Sequence, residues 1–399
     1  MAETQNITNS LMYHQSEKDL QSLVNWWCDS GFDKENNRFY SEVSNENMPR
    51  LNANYTVIQR TRLLWFFSAL SQMEDYVNYR KYADIQFEEL LSYFYDQEYK
   101  GFIWEVDKEY KPTIYRKQSY AQAFAIYALS EYYILTKNKK AKDIANETFS
   151  LLENKIWEQS NGGYTEAVDR QWNALDDLRL SDKDMNEPKT MNTHLHILEA
   201  YTNLAIVDDS QMVTDSLERI TQLYIDKFFN SDSNHFELFY DNDWNLKSDI
   251  ISYGHDIESA WLLLKASKYI NNSELNKSIE AVADKIAIST KEEGVDVSGG
   301  IKNESHNGEQ DLSFDWWPQA EGVVGFLYAY DLTGKVEYMK IAKGIYQFIT
   351  ENIVDDKYGE WYWNINTNMQ PELDRQKSNA WKAPYHNGRM YLEILKRGL

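Results

Sequence analysis

The chain has 399 residues with 41 Lys and Arg against 63 Asp and Glu, a net charge of −22 whose field repels phosphate backbones and anionic lipid headgroups. The single cysteine, Cys28, excludes an intrachain disulfide and a thiolate metal cluster. No stretch approaches the roughly 18 apolar residues of a membrane span, and MAETQNITNSLMYHQ has no basic segment leading into an apolar one, so a cytoplasmic protein without nucleic-acid or membrane partners is expected.

Helical periodicity begins at 16–29 and is interrupted by RFYSEV (38–43), a short aromatic stretch with the look of an extended excursion. It resumes over 56–73 and 78–95, and GFIWEV (101–106) follows. The same alternation continues through 117–135, 139–155, GGYTEAV (162–168), 191–207, 212–228, HFELFY (235–240), 255–269 and 274–290. GGIKNE (299–304), 318–333, 336–352, GEWYWN (359–364) and 385–397 complete it. The excursions align at Phe39, Phe102, Tyr164, Phe236, Ile301 and Glu360, between 59 and 72 residues apart, a loose sixfold repeat.

A helix pair cannot bury its apolar stripe alone, whereas stacked neighbours can. Six repeats therefore predict an all-α fold of twelve helices in six hairpins. The reading favoured here is a closed (α/α)6 barrel, one domain over 1–399 with short β excursions at one end, and an open solenoid is the alternative. The helix after each excursion is the less charged of its pair (LLWFFSAL against KSIEAVADKIAIS) and is expected in the inner ring.

Arg62 stands among large apolar residues in TRLLWFF and needs either an ion-pair partner or an anionic reaction intermediate. In TMNTHLHILEAYTNL the two histidines point about 200° apart on a helix. His196 shares a polar face with Asn192, Glu199 and Asn203 and is the one expected to face the cavity, while Asn192 is the expected N-cap. His255 and Glu258, three apart in GHDIES, share a face on which the carboxylate can orient the ring. Trp316 and Trp317 precede Pro318, a helix-start residue, and with Trp381 suit stacking walls. His386 follows Pro384 at the start of the last helix. Imidazoles at helix N-termini tend to stay neutral and able to accept a proton. His14, His235 and His306 are expected in solvent. Nothing matches HExxH, GxSxG, a P-loop or CxxC, which leaves acid–base chemistry by histidine.

NTHLHILEAYTNL, GHDIESAWLL, WWPQAEGVVGF and WKAPYHNGRMYLEI, together with RTRLLWFFSAL (60–70) and KQSYAQAFAIYAL (117–129), resemble the cellobiose 2-epimerase group of the N-acylglucosamine 2-epimerase superfamily, in order from about 54 to 394. The resemblance implies the (α/α)6 barrel and epimerisation at C2 of a reducing-end sugar, with no cofactor and no metal. It implies His255 and His386 as the acid/base pair and His196 as a third active-site histidine. Arg62 and Tyr120 match residues near the substrate's O1 to O3, Glu258, Asn192 and Asp184 match hydrogen-bonding or ring-opening helpers, and Trp316, Trp317 and Trp381 match the stacking walls. Glu304 is expected to bind substrate as well, although Asn303 precedes it where an aromatic able to stack on a second sugar is expected. A D-mannose/D-glucose 2-epimerase or an aldose–ketose isomerase is therefore the alternative, and a glycoside hydrolase or a non-catalytic sugar-binding protein are the rivals from other classes. The partner is a small sugar, and the chain is expected to be a monomer or weak homodimer.

Overall fold

The computed structural model describes residues 2–398, with side chains from residue 11 onward. Twelve α-helices follow in chain order among the described residues: α1 Ala2–Asp29, α2 Val57–Leu70, α3 Arg80–Glu89, α4 Ser119–Thr136, α5 Lys139–Leu151 and α6 Met191–Val207, then α7 Gln211–Phe228, α8 Tyr253–Ala266, α9 Ser273–Ser289, α10 Trp316–Thr333, α11 Val336–Phe348 and α12 His386–Arg397. α1 extends well before the expected residue 16, in a stretch without glycine or proline.

The even-numbered helices pack in sequence, and α12 returns to α2, so they close an inner ring. α3, α5, α7, α9 and α11 pack outside their partners and α1 packs outside α12, which makes the fold an (α/α)6 barrel. Burial explains the composition difference: all fourteen residues of α2 are buried, so an inner helix needs no polar stripe. On outer α5 the buried residues Ala141, Ile144, Ala145, Thr148 and Phe149 fall on one face. No helix among the described residues is long and apolar enough to cross a membrane.

The excursions ring one end. Two-residue strands precede α2, α4, α6, α8 and α10, and each pairs antiparallel with a strand that follows the next outer helix, for example Lys117–Gln118 with Ala167–Val168. A bridge from Val43 to Ser378 joins the first excursion to the segment that leads into α12. α3, α5, α9 and α11 each end in a single π-helical turn, after which Tyr95, Trp157, Val295 and Val354 pair with Phe102, Tyr164, Ile301 and Trp361.

A repeated hook holds this end to the ring. The fourth residue of an inner helix bonds the backbone of the aligned excursion residue: Arg60 to Phe39, Gln122 to Phe102, His194 to Tyr164, Asp256 to Phe236 and Gln319 to Ile301. His194 is one of these hooks. Its Nε2 accepts from Tyr164 N at 2.8 Å, so its Nδ1–H donates to Thr190 O at 2.7 Å, and burial pushes the ring down to about 4. Both nitrogens are used structurally.

The α12–α2 seam is tight. A Cβ on Gly388 would lie 2.4 and 2.5 Å from Phe66 Cε2 and Cδ2, and Phe66 is fully buried. Gly388→Ala gains about 1 kcal/mol of helix propensity, but the overpacking costs about 1–3 kcal/mol. Chemical denaturation should show a net loss of stability; a gain would mean that the seam relaxes freely.

Candidate active site

Because the six inner helices start at the excursion end, residues at equal depth form layers around the axis. The histidines occupy the upper layers at the mouth. One helical turn deeper than His196, His255 and His386 stand Glu199, Glu258 and Arg389. Glu321 of α10 joins them, and all four are at most 2 % exposed.

Arg389 is the hub. Its Nη1 donates to Glu199 and Tyr385, and its Nη2 donates to Glu258 Oε1 at 2.6 Å and Glu321 Oε1 at 2.7 Å. The guanidinium stacks over Trp261 at 4.7 Å, whose Nε1 donates to Glu321 Oε2 at 2.9 Å. Three carboxylates around one cation cannot all ionise cheaply in a buried site. Burial raises Glu258 well above its ordinary range, with Glu321 adding to the rise and Arg389 opposing it. Glu321 is also raised by burial, whereas at Glu199 burial is overcome by Arg389, His196 and Tyr385, which hold it at about 2.

Each active-site imidazole has a different backing. His386 Nδ1 shares a 2.6 Å hydrogen bond with Glu321 Oε1, His196 Nδ1 donates to Glu199 Oε2 at 2.9 Å, and His255 Nδ1 lies 2.8 Å from Ser252 Oγ. No Nε2 of the three bonds a described residue. Burial pushes His255 down to about 3 and lowers His196, and burial with the Arg62 and Arg389 charges takes His386 well below its usual value. Three neutral rings result. Trp317 packs against two of them, with its ring centroid 4.6 Å from that of His255 and 5.7 Å from that of His386, and Trp316 lies 5.2 Å from His386.

Arg62 has no ion-pair partner among the described residues. Its Nη2 donates to Tyr120 Oη at 2.9 Å, its Nη1 to Trp381 O, and its charge lies over the Phe124 and Tyr385 rings at 4.8 and 5.0 Å. Burial pushes Tyr120 up to about 12 despite that cation, so the phenol stays protonated. Tyr120 meets His196 edge-on at 4.9 Å, and Trp381 lies beside Tyr120 and Trp104. A buried guanidinium facing aromatics and hydroxyls leaves room for a negative charge to develop beside it.

The structure thus gathers His196, His255, His386, Arg62, Tyr120, Trp316, Trp317 and Trp381 at one mouth, with Glu258 one turn deeper on Arg389. Asn192 is half-buried in the first turn of α6, and its Oδ1 has no partner among the described residues. It is not the N-cap. Thr190 caps α6 by accepting from Thr193 N, and buried Glu166, which burial pushes up to about 8, accepts from both threonines. Asp184 and Glu304 make no hydrogen bond to the residues gathered at the mouth. Asp184 accepts from Ser181 N at 2.7 Å inside its own loop, and Glu304 accepts from His306 on a strand paired to Ser252.

Other expectations change. Glu258 does not orient His255: it bonds Arg389, and Ser252 supplies the partner to the ring. Pro318 is the third residue of α10, not its first. His235 is buried rather than solvated, with its Nδ1 2.6 Å from Asp256 Oδ2; burial depresses its pKa, but Asp256 and Glu293 together outweigh burial and raise it. Arg389, Glu321, Tyr385 and Ser252 carry the site's geometry without having been singled out. Glu321 shows as a charge in the largely apolar α10 but nothing in the sequence names its partners, and Arg389 lies in a helix that also carries Glu393, Lys396 and Arg397 and gives no such signal.

Glu258, Glu321 and His386 offer three ligand atoms within 4.8 Å of one another, a spacing a metal ion can bridge. Here the cation those carboxylates face is Arg389, which lies within hydrogen-bond distance of both. A metal would have to displace a guanidinium.

The family model for N-acylglucosamine 2-epimerase matches residues 39–387. A cellobiose 2-epimerase of Bacteroides fragilis is 36% identical over 392 residues, covering 97% of this chain and 99% of the relative. The structure of a cellobiose 2-epimerase from Bacillus thermoamylovorans superposes with a TM-score of 0.92 at 33% identity, over 97% of this chain and 100% of the other. More distant is a D-mannose isomerase of Marinomonas mediterranea, 24% identical over 85% of this chain and 86% of its own.

Proposed function

The chain belongs to the N-acylglucosamine 2-epimerase family, and from that premise we propose that it is a carbohydrate 2-epimerase that converts the reducing-end glucose of cellobiose to mannose, and acts likewise on lactose and other β-1,4 disaccharides. The whole chain is one catalytic unit, working in the cytoplasm without cofactor or metal. The observation that carries this reading is the pair of neutral imidazoles on different helices, His255 on α8 and His386 on α12, both packed against the Trp317 indole with ring centroids 4.6 and 5.7 Å from it.

The pyranose opens first, with Asn192 and Tyr120 holding hydroxyls near the reacting carbons. One imidazole removes the C2 proton of the aldehyde through its free Nε2. The cis-enediolate that forms places its charge beside Arg62, and the other imidazole returns a proton to the opposite face of C2. His386 can do this without first becoming an imidazolium. As its Nε2–H passes to carbon, Nδ1 takes through Glu321 the proton that burial leaves on the Glu258–Glu321 pair, and the new negative charge faces Arg389. His196, held by Glu199, completes the wall against Tyr120.

A monosaccharide 2-epimerase or an aldose–ketose isomerase is the second reading. Asn303 favours it, because its amide is tied to Asp311 at 3.0 Å and offers no stacking face to a second sugar. Hydrolysis is less well supported. It requires two carboxyls flanking the bond, about 5–9.5 Å apart, whereas Glu199, Glu258 and Glu321 converge on one guanidinium below the histidines.

The test is incubation of EDTA-dialysed protein with cellobiose, lactose or D-mannose, with sugars separated chromatographically. Glucosyl-mannose from cellobiose supports the proposal, fructose from mannose alone moves it to the isomerase reading, and no conversion overturns both. Arg62→Met is expected to lower kcat/KM about 10²–10³-fold by removing the cation beside the enediolate. Unchanged kinetics in that variant would assign Arg62 a purely structural role.

A further inference from the structure

This inference rests on the epimerase reading. Two-sided proton transfer leaves the enzyme rearranged: in one direction His255 ends with one proton too many and the Glu321–Arg389 hub with one too few. Before the next turnover one proton must leave His255 and one must reach the hub, and no other reactant is consumed. His255 stands at the mouth, where water can take its proton. The hub lies beneath the sugar site.

Below the hub the barrel axis is polar. Trp65 of α2 and Tyr127 of α4 stack at 5.3 Å, and the Tyr127 phenol lies beside Arg389, with Glu199 and Glu131 both in electrostatic reach. Tyr127 Oη faces the Arg389 guanidinium within reach of a weak hydrogen bond, while Trp65 Nε1, Ser68 Oγ and Ser130 Oγ have no hydrogen-bond partner among the described residues. All these residues are at most 4 % exposed. Buried polar atoms of this kind are satisfied by ordered water when protein offers them nothing. Ser130 and Glu131 continue the same face of α4, and Ser68 O and Glu131 Oε1 both accept from Gln72 Nε2, at 3.2 and 2.6 Å. Asn203 Nδ2 donates to Glu131 Oε2 at 3.0 Å. Gln72 is exposed, so this line of groups ends in solvent. Glu131 is about 16 Å further along α4 than Tyr120, at roughly 1.5 Å per residue, which puts that exit at the end of the barrel away from the mouth.

We infer that Tyr127, Ser68, Ser130 and Glu131 line a file of water that carries protons from solvent at the rear face to the Arg389 hub, recharging Glu321 between turnovers without passing the occupied mouth. Tyr127 and Glu131 are positioning residues here and touch no substrate.

Tyr127→Phe removes the phenol oxygen and keeps the ring on Trp65, and Glu131→Gln removes the charge while keeping an acceptor for one of the two donors, Asn203 or Gln72. Each is measured twice: one turnover by rapid quench with enzyme in excess over cellobiose, and steady-state kcat at saturating cellobiose in H2O and D2O. The expected result is a single-turnover rate within about twofold of the wild type, with kcat lowered about tenfold and its solvent isotope effect increased. Wild-type kcat in both variants overturns the inference, as does a single-turnover rate that falls in step with kcat, the mark of a merely structural role. If Tyr127→Phe loses its helical circular dichroism, Glu131→Gln decides. A wild-type protein that turns over no cellobiose defeats the epimerase reading instead.

Discussion

His386→Asn is expected to lower kcat on cellobiose about 10³–10⁴-fold while cellobiose still binds, the range in which a positioned acid/base group contributes. The asparagine amide can occupy the place of Nδ1 and hold Glu321, so the hub survives, but no atom replaces Nε2. Calorimetric titration beside the epimerisation assay separates the two effects. Full activity would remove His386 from the chemistry, and loss of binding would make it a substrate ligand only. The pH dependence follows from burial. With His255 pushed down to about 3 and His386 lowered further by nearby cations, both rings stay neutral through the neutral range, so activity should persist to well below the ordinary histidine value of 6.5. The stability sign is the reverse of that for a paired histidine. An unfolded His255 binds a proton near 6.5 that the folded ring refuses until about 3, so its contribution to stability falls as pH drops through that window.

Arg389→Leu is the substitution with the largest expected cost in stability. It strands Glu199, Glu258 and Glu321 around an apolar side chain, and breaking a buried ion network from one side costs about 3–5 kcal/mol. The deficit should depend on pH in a defined direction. Without the guanidinium Glu258 and Glu321 are raised further above their unfolded values and Glu199 loses the cation that holds it low, so protonating them restores stability at low pH and the loss grows as pH rises. Denaturant melts at pH 5 and pH 7 check this: a larger deficit at pH 7 supports the hub, and an equal deficit at both would mean that the substitution disrupts packing rather than charge.

Which parts of this arrangement are visible in the sequence follows from the physics of each layer. The ring is visible because burial on all sides removes charge from α2, α4 and α10 and leaves amphipathic faces on α5 and α9, a contrast that composition carries. His194 and His196 are separable because helix geometry puts them on opposite faces. What places His194 on the excursion side is the hook position it shares with Gln122 and Gln319, and the hook escapes pattern reading because it is filled by Arg, Gln, His, Asp and Gln in turn. Arg389 and Glu321 are invisible singly, since each makes sense only through partners on other helices. Glu258 misleads for the same reason: three residues from His255 it has the right spacing, but a guanidinium from α12 competes for it and wins. His235 misleads because an excursion reads as surface, and the carboxylate that holds it, Asp256, comes from the inner helix that follows that excursion.

The central claim is that two imidazoles move the C2 proton of a reducing sugar across a site whose cations, among the described residues, are guanidinium groups. The most direct measurement is proton NMR of the wild-type protein with cellobiose in D2O, with no added metal or nucleotide. The account predicts loss of the C2 proton signal, with deuterium at C2 of a growing glucosyl-mannose and none at other carbons. Epimer formed with the C2 proton fully retained, or deuterium at C1 of a ketose product alone, would contradict it.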